Sequence, residues 1–197
     1  MPTRIMAAIR SVCVYCGSGE GQNPAYAHAA RVVGRALAAA GLRLVYGGGN
    51  LGLMGIVART VIDEGGTVIG IIPQFLSERE HMLHDVHEMI VTDNMHQRKM
   101  MMFDRADAFV ALPGGVGTLE ELIEMMTWYQ LGQHSKPIVL ANINGFWAPL
   151  LSLLEHMRAE SFIREGFDVS YRVADTAEDV VPLVTGEHRT SATAGPA

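Results

Sequence analysis

The stretch "LPGGVGTLEE" (residues 112–121) sets three glycines, a proline, a hydroxyl and two carboxylates where an apolar run gives way to a helical pattern. Backbone amides left uncovered at a glycine corner, and again at a helix N-terminus, attract phosphate. Gly114, Gly115 and Gly117 provide that exposure around Val116, and Thr118 adds a hydroxyl ahead of Leu119. Glycines also serve simply to reach left-handed turn angles or to allow close packing. Two further loops, "CGSGEG" and "YGGGNLGLMG", tip the balance toward phosphate binding and add Gly17, Ser18, Gly48 and Gly49 as candidate contacts. No Walker lysine follows any of these loops, and the dinucleotide fingerprint fits "GGGNLG" only by force.

Glu121 has two readings. Thr118 and Glu121 are three apart before an apolar run, which spells a capping box worth about 1 kcal/mol. The same spacing holds a carboxylate at the mouth of a phosphate pocket, and spacing alone leaves the two readings level. Glu120 and Glu124 read as solvated helix residues. Arg98 and Lys99 are adjacent cations in "HQRKMMMFDRA", either a surface pair or a clamp over an anion. The run Met100, Met101 and Met102 points to a core or a subunit interface. His81, His84 and His87 are three apart but fall in an extended pattern without completing ligands, so no metal site is expected. Cys13 and Cys16 lie on opposite faces of a strand by its period of two, which suits buried hydrophobes better than a redox pair.

These groups need elements to hold them. Strands are expected at "SVCVY", "LRLVY", "TVIGII", "VHEMIVT", "DAFVAL", "PIVLANI" and near "VSYRVA". Helical periodicity falls between them, at "AYAHAARVVGRALAAAG", "LMGIVARTVIDEGG", "DNMHQRKMMMFDRA", "TLEELIEMMTWYQLG", "APLLSLLEHMRAE" and near "AEDVVPLV". Asn23 suits a cap, Pro24 a first turn and Gly41 a stop. In "TLEELIEMMTWYQLG" the apolar stripe reads Leu119, Leu122, Ile123 and Met126. Apolar strands alternating with helices mean an α/β fold: one Rossmann-like domain over residues 1–185, its parallel sheet covered by helices on both faces. Residues 186–197 have little to bury and read as a flexible tail. Ligands in such sheets gather beyond the C-terminal strand ends, where all three glycine loops emerge.

The composition narrows the function. A net charge of -6 with scattered arginines argues against nucleic acid as a partner. No apolar stretch reaches the length of a membrane span and no signal-type run follows the first residues, so a cytoplasmic protein without a membrane partner is expected.

Taken together, "SVCVYCGS", "YGGGNLGLMG", "IGIIP", "MHQRKMMM", "LPGGVGTLEE" and "WYQLGQHSKPIVLAN" closely resemble the LONELY GUY family of cytokinin riboside 5'-monophosphate phosphoribohydrolases, long mislabelled lysine decarboxylases. The resemblance runs from about Ser11 to about Val184, with the signature PGGxGTxxE complete from Pro113 to Glu121. It implies a Rossmann-like homodimer that uses no cofactor and hydrolyses the N-glycosidic bond of N6-modified adenosine monophosphates, and often of AMP itself. By motif position the catalytic pair falls on Arg98 and Glu121. The nucleotide contacts fall on Glu80, Arg98, Lys99, residues 115–121 and Thr127. Two rivals remain: a pyridoxal-dependent decarboxylase, which needs a Schiff-base lysine, and a nucleotide-sensing or cofactor-carrying protein that only binds.

Overall fold

The computed structural model describes residues 8–77, 81–164, 166 and 168–187. Seven strands are β1 (Ser11–Tyr15), β2 (Arg43–Tyr46), β3 (Val68–Pro73), β4 (Glu88–Thr92), β5 (Ala108–Ala111), β6 (Ile138–Ala141) and β7 (Arg172–Ala174). The helices are α1 (Pro24–Ala39), α2 (Gly52–Asp63), α3 (Gln74–Ser77), α4 (Met95–Arg105), α5 (Val116–Gln130), α6 (Ala148–Ala159) and α7 (Val180–Thr185). The strands form one sheet in the order β4-β3-β2-β1-β5-β6-β7, and every pairing is parallel. The chain walks outward from β1 to β4, then returns to lay β5 on the other side of β1. That reversal opens a crevice beyond the strand ends, the switch point at which α/β sheets take their ligands.

Alternation along β1 divides the interior into two layers. Val12 and Val14 join Ala30, Val33 and Leu37 of α1, Val57 of α2 and Val180 of α7. Cys13 and Tyr15 point the other way, toward Met102 of α4, Leu122 and Met125 of α5 and Leu154 of α6. The sheet is therefore covered on both faces, as its apolar strands require. Cys13 and Cys16 lie in opposite layers, both unpaired, and burial pushes both thiols far above their ordinary range. Of the three consecutive methionines Met102 is fully in the core and Met101 packs against it. The strand β4 departs from the apolar pattern: it sits at the sheet edge, with Glu88 and Val91 exposed.

Local signals set most helix ends. Asn23 accepts a hydrogen bond from the Ala25 amide, Pro24 opens α1, and Gly41 follows it at φ +66. The short α3 has no buried residue and left no periodic signature to read. The stripe expected on α5 is rotated, because Thr118, Glu121, Leu122, Met125 and Met126 are buried while Leu119 reaches the surface. Of the tail expected at residues 186–197, Gly186 and Glu187 follow α7, and residues 188–197 lie outside the described ones. Among the described residues no helix is long and apolar enough to cross a membrane.

The helices α1 and α2 approach closely at Gly34, where a Cβ would lie 2.9 Å from Thr60 Cβ and 3.1 Å from the Val57 carbonyl oxygen. Gly34→Val is expected to wedge the pair apart and cost about 1–3 kcal/mol, the usual range for overpacking. A lowered melting temperature in a thermal scan checks this.

Candidate active site

Two loops meet at the switch point. The Gly17 amide donates to the Pro113 carbonyl at 3.1 Å, and the Leu112 amide to that of Tyr15 at 2.9 Å. The Trp147 indole donates to the Ala111 carbonyl at 3.2 Å and steadies the end of β5 just before the glycine corner. Close packing at that corner needs Gly114, whose Cβ would fall 2.1 Å from Thr118 Oγ1 and 2.8 Å from the Gly17 amide nitrogen. Gly115 and Gly117 differ, since a Cβ on either would meet nothing within 4 Å. One glycine of this motif is therefore for packing, and two keep a surface open.

The helix α5 begins at Val116, with Gly115 as its N-cap and no side chain capping it. This corrects the capping-box reading of Glu121. Thr118 lies within the first turn and Glu121 in the second, so neither occupies the cap position that such a box requires. The first amides of a helix have no intrahelical acceptor, and here they adjoin the crevice. The amides at the start of α2 behave differently. Leu53 donates to the Gly19 carbonyl at 3.4 Å and Met54 to that of Gly17 at 3.3 Å. That helix start is engaged by the protein itself, so of these two it is the corner before α5 that leaves its amides for an anion.

Glu121 faces Arg98 across the crevice, with Nη1 to Oε1 at 3.2 Å and both side chains 10% exposed. Arg98 also donates from Nε to the Ile71 carbonyl at 3.2 Å, which ties the guanidinium to β3. Its path runs over Gly47, where a Cβ would lie 2.2 Å from Nη2. Burial lifts the Glu121 carboxyl from 4.5 to about 7, with Arg98 pulling against that rise and Glu120 adding to it. A carboxyl held near neutrality beside a fixed cation in a cleft is a common signature of acid–base or charge-stabilising chemistry.

The cleft around this pair measures about 340 Å³ and is lined by Gly17, Ser18, Arg98, Gly115, Val116, Gly117, Thr118 and Glu121, all anticipated from the sequence. Cys16, Gly47, Met54, Leu76 and Met95 also line it. Gly47 was legible as the first glycine past a strand end; Leu76 and Met95 carried no signal. Other expected contacts lie elsewhere. Gly48 packs on Ile72, Gly49 bridges to Met82, and Thr127 donates to the Ile123 carbonyl at 2.8 Å. Gly114 instead lines an adjoining, mainly apolar cleft with Tyr26 and Phe146. Lys99 turns to Glu120 and Glu124, which are therefore not simply solvated. Glu80 lies outside the described residues. The histidine series dissolves: His87 accepts from the Val68 amide at 3.3 Å, while His81 sits at φ 47 in a turn.

A rice (Oryza sativa subsp. japonica) cytokinin riboside 5'-monophosphate phosphoribohydrolase, LOG, is 48% identical over 172 residues, covering 87% of this chain and 71% of that protein. A protein of the same name from Rhodococcoides fascians is 50% identical over 155 residues, 78% of each. The chain belongs to the cytokinin riboside 5'-monophosphate phosphoribohydrolase family. A family model described as "Possible lysine decarboxylase" also matches residues 54–184. Among solved structures, the molybdenum cofactor carrier protein of Chlamydomonas reinhardtii superposes with a TM-score of 0.66 at 21% identity, over 90% of this chain and 96% of that one. The molybdenum cofactor binding protein of Rippkaea orientalis gives 0.65 at 24%, with the same coverage. At that identity the likeness shows the fold alone, whereas the phosphoribohydrolase relatives are about half identical over most of the chain.

Gly47→Ala is expected to lower the unfolding free energy by about 1–3 kcal/mol, because backbone and guanidinium cannot both keep their places. Gly117→Ala, in the open part of the same cleft, should leave stability unchanged or raise it slightly by removing a helical glycine. Urea denaturation of the two variants separates the packing glycines from those that keep the cleft clear.

Proposed function

We propose that this protein hydrolyses the N-glycosidic bond of adenosine 5'-monophosphates, AMP and its N6-modified forms, releasing the free base and ribose 5-phosphate. The observation that carries the reading is the buried Arg98–Glu121 pair set one helical turn past the uncapped start of α5. The amides of Val116, Gly117 and Thr118 take the 5'-phosphate, with Gly17, Ser18 and Gly115 lining its approach. Residues 119–121 follow in the same helix and carry the contact from phosphate toward ribose. The proposed nucleotide contacts also include Gly48, Gly49, Glu80, Gly114 and Thr127.

In the reaction the C1'–N9 bond breaks as water adds at C1', and the base departs with a proton. Positive charge builds on the ribose on the way, as in glycoside hydrolysis. The Glu121 carboxylate stabilises that charge and can orient the attacking water. Arg98 fixes the carboxylate and offsets negative charge on the departing purine or on the phosphate. Because the phosphate anchor provides binding energy remote from the reacting bond, the nucleoside lacking it should be a poor substrate.

The name of the matching family model suggests a second reading, a pyridoxal-dependent lysine decarboxylase. The chain's own lysines speak against it. There are only two, Lys99 and Lys136. Lys99 is held by two carboxylates, and Lys136 donates to the Phe103 carbonyl and lies over that residue's ring; neither lines the cleft. The Arg98–Glu121 pair likewise favours chemistry over a carrier that only binds.

The reading includes a cytoplasmic homodimer without nucleic-acid or membrane partners. The homodimer is supported by exposed apolar residues such as Val116, Leu131 and Phe162. Light scattering at micromolar protein should give the mass of a dimer, and a monomer mass would remove that part of the proposal.

Turnover of AMP and of its N6-isopentenyl analogue, followed by free base and ribose 5-phosphate, is the direct test. Glu121→Gln keeps the shape and removes the charge, so the rate should fall roughly 100-fold or more. AMP affinity should change far less, and a melting curve excludes unfolding. If the ionised carboxylate is the working form, a carboxyl raised to about 7 makes the rate fall as pH drops below about 7 and level off above it. The Gln variant should lack that limb. Near-normal turnover in the folded variant would leave Glu121 without a catalytic role.

A further inference from the structure

Arg98 and Lys99 are sequence neighbours with different company. Successive helical residues diverge by about 100°, and α4 sends Arg98 into the cleft while Lys99 points out of it. Lys99 Nζ lies 2.6 Å from Glu120 Oε1 and 3.0 Å from Glu124 Oε1, with its side chain 18% exposed. These carboxylates flank Glu121 along α5 and are themselves one turn apart, a spacing at which like charges repel. Lys99 lies between them and relieves that repulsion. The hydrogen bond to Glu120 holds the ammonium above its ordinary value, so it stays charged. Glu124 Oε2 is buried without a hydrogen-bond partner among the described residues, an unfavourable state that would relax if the carboxylate turned to water. The ion pair to Lys99 keeps it in place.

From this geometry we infer that Lys99, Glu120 and Glu124 form a clasp between α4 and α5 that sets Arg98 against Glu121. Lys99 is then a positioning residue, and its partner Glu124 is one too. The inference rests on the hydrolase reading above for its kinetic consequences, while its geometry stands independently. The two helices also meet where Phe103 and Trp128 pack edge to face at 5.0 Å. That contact lies more than one turn beyond Arg98 and Glu121, so it secures the helices away from the cleft. Near the cleft, Met102 of α4 shares an apolar layer with Leu122 and Met125 of α5, and among the described residues the polar side-chain ties across the pair are the Arg98–Glu121 contact and the Lys99 clasp. The apolar layer sets the spacing of the helices but not the fine register of charged groups, so without the clasp the first turns of α4 can shift enough for Arg98 to lose its register on Glu121.

A phosphate ligand and a clasp respond differently to the same substitutions. The full-length protein is compared as wild type, Lys99→Met, Glu124→Gln, the double variant and Lys99→Arg, with AMP as substrate and a melting curve for each. The clasp predicts that Lys99→Met and Glu124→Gln each lower kcat about 10-fold or more while KM changes less than about 3-fold. The double variant should be no worse than Lys99→Met alone, because both changes undo one interaction. Lys99→Arg should keep most of the wild-type kcat. If Lys99 instead holds the phosphate, Lys99→Met raises KM with kcat nearly intact, and Glu124→Gln lowers KM by freeing the ammonium; that pattern overturns the clasp. Unchanged kinetics in both single variants overturn it as well. The melting curves give a readout independent of turnover. Losses at positions 99 and 124 that do not add in the double variant support the clasp, and full additivity refutes it. A wild-type protein that leaves AMP intact would count against the hydrolase reading alone, with the melting cycle still deciding the clasp.

Discussion

A guanidinium and a carboxylate, both nearly withdrawn from water, cannot be held together cheaply. Each loses hydration, and their attraction compensates only when position and further hydrogen bonds are well set. Much of the architecture around the switch point meets that constraint. The Ile71 carbonyl at the sheet takes one donor of Arg98, Gly47 gives the guanidinium room, and α5 carries Glu121 to meet it. Remove any of these and a buried charge is left without its partner, which is more damaging than never having had the pair.

The same constraint explains why a glycine-rich motif here has two physical meanings. Gly114 is small because Thr118 and the loop after β1 press on it, whereas Gly115 and Gly117 are small because nothing in the protein does. The two helix starts at the crevice divide in a parallel way. The amides of α2 are tied to carbonyls of the loop after β1, so that loop is anchored to the helix start. The first amides of α5 are left facing the crevice. One end is scaffold and the other is receptor, although the two glycine loops look alike in composition.

That difference marks the limit of what the chain's letters disclose. The strands, their order of appearance and the two covered faces were legible because apolar runs and helical periods are local properties. Arg98, Glu121 and the corner between them were legible from residue type and spacing, and the family resemblance sharpened their roles. The engagement of α2's amides was not, because it depends on where the loop after β1 lies in space. The true start of α5 was missed by about one turn: Thr118 and Glu121 mimic a cap, and a glycine cap with no side chain leaves no mark. The carboxylate partners of Lys99 were hidden for the same reason. Adjacent cations look equivalent in a line of text, and only the 100° step of a helix separates their partners.

The parallel sheet also governs the order in which this molecule can be made. The central strand β1 is synthesised soon before one of its two neighbours, β2, and long before the other, β5. The Ser11 amide and the carboxylate of Asp107 that receives it are separated by 96 positions along the chain. Until β5 exists, the middle of the sheet has a bare edge, and the two loops that shape the crevice have not met. An N-terminal half emerging alone is thus half a sheet with an unfinished border, and such long-range closure folds slowly. The pocket belongs to the finished chain and to no fragment of it that ends before α5.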